Sequence, residues 1–334
     1  MLHTPRSRRG MVTSPHHLAS EAGLRVLREG GNAIEATVAM AAALAVVYPH
    51  MTSIGGDGFW LIAAPGQPPV GIDACGAAVA AATPALYAKA GHATIPWRGP
   101  LAANTVAGTV SGWRAALAVA AELGGRLPLA RLVEDAVWHG EHGFAVTRSQ
   151  AELTAAKLGE VEAAPGFAAQ FLIDRRLPLE GQLMRLPELA RTLRRLGDQG
   201  AQDFYDGALA KELAHGLAAI GAPVTAADLA SHRARRVPPL SVRLRGADLF
   251  NMPPPTQGLA SLMILALFER LKARKAESFA HIHGLIEATV AMAAALAVVY
   301  PHMTSIGGDG FWLIAAPGQA PLGIDACGDR KSVV

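Results

Sequence analysis

Cysteine is almost missing from this chain: among 334 residues only Cys75 and Cys327 carry a thiol, which excludes the disulfide framework of small secreted domains. Aromatic residues make up 5%, and none interleaves with the short arginine clusters at 6–9, 191–195 and 233–236. The formal charge of +3 therefore does not form a nucleic-acid surface, which needs a basic face with stacking residues. There is no Gly-x-Ser-x-Gly elbow, no Gly-x-x-x-x-Gly-Lys-Ser/Thr loop and no Gly-x-Gly-x-x-Gly fingerprint, so the familiar hydrolase, phosphate-binding and dinucleotide-binding signatures are all absent. The most apolar stretch, 36–47 with a copy at 288–299, falls short of the ~20 residues that span a bilayer. It reads as a buried, alanine-rich helix. The basic first ten residues lead into Met11-Val-Thr-Ser-Pro15 rather than an apolar leader. The expectation is a cytoplasmic globular protein without membrane contact, nucleic-acid partner or cofactor, and its 51% hydrophobic content can supply a substantial core.

What the chain does contain is a repeat. Residues 34–76 return as 286–328, with only Pro68/Ala320 and Val70/Leu322 differing. The two cysteines are one position counted twice. Solenoid repeats recur in tandem every ~20 to 50 residues and drift, whereas this block reappears once, far away. The left edge is a shared Ile-Glu-Ala-Thr, at 34–37 and 286–289, and after Gly328 the chain closes with Asp329-Arg-Lys-Ser-Val-Val334 where the first copy runs on into Ala77-Ala-Val79. The expected organisation is a main region over 1–285, the duplicate over 286–328 and an artefactual tail over 329–334, as an assembly chimera would produce. Source DNA that reads through codon 286 into the same join and tail contradicts that expectation.

Punctuation predicts the local structure. Residues 20–29 form a helix stopped by Gly30-Gly31, and a second runs over 33–47 to Tyr48-Pro49. Residues 59–63 have the length and aliphatic-aromatic character of a buried strand and pair as a hairpin with 70–73. The glycine-rich Gly55-Gly-Asp-Gly58 that leads into 59–63 is expected to be a tight turn, because glycine suits unusual backbone angles. Helices follow at 109–122, 129–139, 188–196, 209–219 and 226–230. Strands return at 240–244 and 247–251, and a helix at 259–271 follows Met252-Pro-Pro-Pro255. The class is α+β, with sheet segments near both ends of a helical middle.

Ionisable clusters are weak. His139 and His142 flank Glu141 without a third ligand, His281 and His283 have the spacing of one strand face, and His16 and His17 are expected to point apart. His139 and His142 are read as surface histidines, and no metal site is expected. The carboxylates of Glu134/Asp135 and Asp203/Asp206 are read as caps and solvated faces.

The segments Arg9-Gly-Met-Val-Thr-Ser-Pro-His-His-Leu-Ala-Ser-Glu-Ala-Gly23, Leu27-Arg-Glu-Gly-Gly-Asn-Ala33 and Pro49-His-Met-Thr-Ser-Ile-Gly-Gly-Asp-Gly-Phe59 resemble, in order and spacing, the opening of gamma-glutamyltransferases. Thr105-Val-Ala-Gly-Thr-Val-Ser-Gly-Trp113, Glu141-His-Gly-Phe-Ala-Val146, Asp203-Phe-Tyr-Asp-Gly207 and Asn251-Met-Pro-Pro-Pro-Thr-Gln-Gly258 resemble later landmarks of the family's large subunit. The resemblance implies part of an N-terminal-nucleophile hydrolase, an incomplete four-layer αββα sandwich. In the intact parent a threonine at the start of a small subunit would attack gamma-glutamyl amides of the glutathione type, its own α-amine acting as base. The Thr-Thr-His-like nucleophile segment does not occur here, so no catalytic residue is assigned, the small subunit is a missing partner and the chain alone is expected to be inactive. The family's substrate-carboxylate arginine is also missing from Asp73-Ala-Cys-Gly-Ala-Ala-Val79, which leaves Arg98 in Trp97-Arg-Gly-Pro100 as the nearest candidate. Two strands that the family's sandwich places beside 59–63 would be lacking too, exposing apolar sheet surface. The rival expectation is a non-catalytic scaffold that pairs with a separately encoded small subunit.

Overall fold

The computed structural model describes residues 6–271, 275–299, 311–314 and 322–325, in two units, Met1–Val237 and Pro238–Val334. The sequence expected for 329–334 lies outside the described residues.

The first unit begins with helix α1 (His17–Arg28), capped by His16, whose Nδ1 accepts a hydrogen bond from the Leu18 amide at 3.3 Å. Gly30, at φ +90°, ends it. Helix α2 (Ala33–Val47) starts in a full capping box, with the Asn32 side chain accepting from the Glu35 amide while the Glu35 carboxylate accepts from the Asn32 amide. This helix is apolar around most of its circumference and largely buried, with Ala33 and Thr37 exposed; Val38, Ala42, Ala43, Val46 and Val47 are fully shielded. Each of the three valines contributes roughly 1.5–3 kcal/mol of burial. Small residues permit the close approach, since a Cβ on Gly23 of α1 would lie 2.6 Å from Met40 Cγ of α2.

Strands β1 (Gly58–Ile62) and β2 (Val70–Ala74) form the expected antiparallel hairpin, with Trp60 opposite Ile72 and Phe59 opposite Asp73. Helix α3 (Pro84–Lys89) precedes α4 (Thr109–Glu122), which covers one face of the hairpin. Gly112 makes room for it, because a Cβ there would meet Trp60 Nε1 at 3.1 Å and Ala74 Cβ at 2.9 Å. Helix α5 (Leu129–His142) and α8 (Pro187–Gln199) pack together, bracketing the two-residue pair β3 (Phe144–Ala145) and β4 (Leu183–Met184), α6 (Arg148–Val161) and α7 (Phe167–Phe171). Helices α9 (Asp203–Asp206), α10 (Ala208–Ala219) and α11 (Ala226–Ser231) lead to β5 (Arg235–Val237), which adds to β2. The sheet order is β1-β2-β5, leaving β1 as an edge. On the face away from α4, Phe59 and Leu61 are 38% and 44% exposed, so the expected open apolar sheet surface is present.

In the second unit β6 (Leu240–Leu244) and β7 (Ala247–Asn251) form a hairpin through Arg245 and Gly246, both at positive φ. Helix α12 (Gly258–Arg270) packs on it and on α13 (Phe279–Val299), and β8 (Phe311–Ile314) pairs with β9 (Leu322–Asp325).

Four expectations need correction. Helix α13 begins at Phe279, well before the repeat, so it has 21 residues. Among the described residues it is the one helix long and apolar enough to cross a membrane. It is not buried as its twin α2 is, because Ala288 and Met292 are its only buried apolar side chains among the residues whose exposure is described. His281 and His283 lie in this helix and not on a strand. The rings of His16 and His17 stack at 4.7 Å instead of pointing apart. Finally, Gly55, Gly56 and Gly58 are absent from the positive-φ glycines, and a Cβ on Gly55 or Gly56 would meet nothing nearer than Ser53 Oγ, at 3.8 and 3.7 Å. Backbone strain does not demand glycine there.

Candidate functional site

The end of the β1–β2 hairpin carries the densest polar cluster. Asp57, in the glycine turn, accepts the Gly76 amide through Oδ1 at 3.0 Å, and its Oδ2 takes the Cys75 thiol at 3.6 Å. Asp73 on β2 accepts the Cys75 amide at 2.9 Å and the Arg235 guanidinium of β5 at 2.8 Å. Thr109, the first residue of α4, has its hydroxyl within hydrogen-bonding distance of the carbonyls of Gly56 and Asp57, at 2.9 and 2.8 Å, between which its one proton is shared, and the amides of Gly108 and Thr109 both reach Gly56 O at 2.9 Å. The turn is thereby tied to the start of α4. Close approach explains two further glycines: a Cβ on Gly76 would lie 1.6 Å from Val106 O, and one on Gly108 1.8 Å from Ala74 O.

Beside this cluster a cavity of about 570 Å³ opens, lined by His50, Thr52, Asp57, Phe59, Trp60 and Thr109 among others. A second of about 560 Å³ continues past Ala33, Leu61 and Ile62, sharing Thr37, Phe59 and Trp60 with the first. Together they follow β1 and are large enough for a small ligand or an extended segment.

No nucleophile is poised in this cluster. Burial, reinforced by Asp57, pushes the Cys75 thiol up to about 11, so it stays protonated and unreactive near neutrality. Ser111 Oγ lies 2.8 Å from His232 Nε2 and looks like half of a catalytic pair. Its single proton, however, goes to the Gly108 carbonyl at 2.8 Å, which can only accept. His232 must then donate to Ser111, the reverse of the polarity a general base requires. Ser111 is also 2% exposed, and the Ser111 amide is held by the Tyr205 hydroxyl at 2.8 Å. Tyr205 in turn donates to Ala107 O at 2.9 Å, and burial pushes its phenol up to about 12. The trio anchors the start of α4. Neither Ser111–His232 nor the Asp73–Arg235 pair was found from sequence, because each joins residues 121 and 162 positions apart.

Arg98 sits elsewhere. It stacks over Trp97 at 5.3 Å and bonds Glu160 at 3.3 Å, and it lines neither cavity. His139 and His142 are ring neighbours of the exposed Trp138; His139 is half-buried, and burial lowers its pKa.

Solved structures of two enzymes share this arrangement of helices and sheet. Gamma-glutamyltranspeptidase of Helicobacter pylori matches with a TM-score of 0.81 at 32% identity, over 89% of this chain and 85% of that one. Cephalosporin acylase of Bacillus halodurans matches with a TM-score of 0.76 at 30% identity, over 88% and 56%. The architecture is thus that of the N-terminal-nucleophile hydrolases of this group. The family model for gamma-glutamyltranspeptidase matches residues 19–289 and again 286–330, and the chain belongs to that family. Oxamate amidohydrolase proenzyme of Klebsiella pneumoniae is 53% identical over 85% of this chain and 53% of its own length. Glutathione hydrolase-like YwrD proenzyme of Bacillus subtilis is 37% identical over 83% and 52%. The chain spans about half the length of the curated relatives it matches.

Proposed function

We propose that this chain is the substrate-framing half of an amide-cleaving N-terminal-nucleophile enzyme and that a threonine-bearing small subunit must complete it. The observation that carries this reading is the free edge of β1, with its open Phe59/Leu61 face and the cavities along it, next to a polar cluster that lacks a nucleophile. A further strand and its threonine fit that edge. Gly55 and Gly56, where a side chain would touch nothing closer than Ser53 Oγ at 3.8 and 3.7 Å, leave room for a second backbone or a ligand to approach the turn.

In the assembled enzyme the threonine hydroxyl attacks the amide carbonyl while its α-amine takes the proton; that proton passes to the amine that leaves as the C–N bond breaks, and the acyl group on threonine is then transferred to water or to an amino acid. The substrate class is a small amide carrying a carboxylate. Gamma-glutamyl amides of the glutathione type are one candidate. Oxamate is the other, supported by the name of the 53% identical relative and by the lack of an arginine in 73–79, the segment where the gamma-glutamyltransferase resemblance implies one for an amino-acid carboxylate. Arg98 remains the candidate carboxylate clamp, and to serve it has to exchange Glu160 for the substrate. No metal or cofactor takes part in this reading, nor does a nucleic acid or a membrane, and the compartment is the cytoplasm.

The test is reconstitution. The chain is mixed with a separately expressed threonine-bearing half, and co-elution and release of ammonia from oxamate, or of the anilide from a gamma-glutamyl anilide, are measured. Co-elution with turnover supports the reading. Co-elution without turnover favours the rival, a non-catalytic scaffold, and absence of any complex contradicts both.

A further inference from the structure

Beyond that reading, the same edge has a second possible occupant inside the sequence itself. Among the described residues strand β1 is paired only on the β2 side, so its outer N–H and C=O groups form a template for another strand. Edge strands are commonly blunted by charge or proline, yet Phe59-Trp-Leu-Ile62 contains neither. The cavities of about 570 and 560 Å³ leave space along it, and Phe59 and Leu61 present 38% and 44% of their surface. Meanwhile Phe311-Trp-Leu-Ile314 repeats that strand residue for residue. Its hairpin reproduces the register, with Phe311 opposite Asp325 as Phe59 is opposite Asp73. Among the described residues the β8–β9 sheet has two strands and no more, and a lone two-stranded hairpin is marginal in water.

We propose that the chain associates head to tail, the β8–β9 hairpin of one copy adding to the free edge of β1 in the next. Backbone hydrogen bonds hold such an added strand, and alternate apolar side chains seat it. Donor and acceptor are different surfaces, 311–325 and 58–62, so the contact is heterologous: a second copy satisfies one end of each chain and leaves the other end free to continue. The acceptor edge is the one that the proposed small subunit would use, so association and assembly compete.

Sedimentation velocity of the full chain from about 1 to about 100 µM tests this. Leu313→Pro removes a ladder donor from the added strand without touching residues 6–237, and Leu61→Lys puts a charge on the acceptor. The expected result is a wild-type mass that climbs with concentration above 34.7 kDa, while both variants remain monomers. A wild-type chain that stays monomeric throughout overturns the proposal, as does a Leu313→Pro variant that associates like wild type. Neither result depends on turnover, so this test can fail while reconstitution succeeds.

Discussion

Glu35 and Glu287 occupy the same place in the same sequence, and one is buried while the other lies open. The Glu35 carboxylate is 1% exposed and is satisfied by three backbone amides, of Asn32 at 2.7 Å, Arg126 at 2.6 Å and Leu127 at 2.7 Å. Glu287, with 55% of its side chain exposed, has among the described residues one charged partner, His283 of its own helix, at 3.6 Å. Position 32, which caps α2 with asparagine, falls before the repeat begins, and the same offset puts Gly284 there in the second copy. Identical residues thus define a helix in both places, and the surroundings decide whether its core face is used.

That contrast predicts unequal costs. Glu35→Ala strands three amide donors and breaks the capping box, which should lower stability by about 3 kcal/mol. Glu287→Ala should change it by less than about 0.5 kcal/mol. Urea denaturation of the two variants checks this, and equal costs would contradict the assignment of 34–47 as the buried copy.

Acid should weaken the first unit. Burial, aided by His17, His139 and His50 and opposed by Glu21, lowers His16 from 6.5 to about 4. A histidine with a depressed folded pKa is held neutral by the fold, so its contribution is complete above pH 6.5. It is lost as pH falls from 6.5 towards about 4, by at most about 1.4 kcal/mol per unit. Burial lowers His50 and His139 in the same direction. His16→Asn keeps an N-cap acceptor and should flatten part of the slope between pH 6.5 and 4 in thermal melts. An unchanged slope would show that His16 is not its source.

Two glycines should be irreplaceable for steric reasons. At Gly76 and Gly108 a Cβ would overlap carbonyl oxygens at 1.6 and 1.8 Å, and neither backbone can yield without breaking the link between β2 and α4. Gly76→Ala and Gly108→Ala should each cost more than about 3 kcal/mol. Gly55→Ala would make only an ordinary contact with Ser53 Oγ, at 3.8 Å, and should leave the melting temperature of the isolated chain unchanged. A tolerated Gly108→Ala would mean that α4 does not pack as described.

Much of this fold was legible because local signals agreed. Residues 33–47 lie between Asn32 and Pro49 and form one helix with those bounds, and the 59–63 and 70–73 strands pair as expected. The site was legible as a family motif around Asp57 and Asp73, but its cross-links were not. Arg235 carries no strand signal, and β5 exists because β2 offers it an edge. The copy at 288–299 misled for the same physical reason: an apolar pattern says what a helix can bury and not whether partners are there to bury it. Helix α6 was missed because its face is mostly polar, with Gln150 its one buried residue.

Arg98 offers a discriminating variant. Its pairing with Glu160 leaves 47% of its side chain exposed, so Arg98→Gln should cost less than about 1 kcal/mol of stability. If it clamps the substrate carboxylate, the reconstituted enzyme should show a KM raised about tenfold or more with kcat retained. An unchanged KM removes Arg98 from the site.

The central claim is that this chain frames an amide-cleaving site without containing its nucleophile. The most direct measurement is turnover by the purified chain alone, offered oxamate and a gamma-glutamyl anilide in turn. The expected result is no ammonia and no anilide above the uncatalysed rate, with activity returning on addition of a threonine-bearing partner. Sustained turnover by the chain alone would contradict the claim.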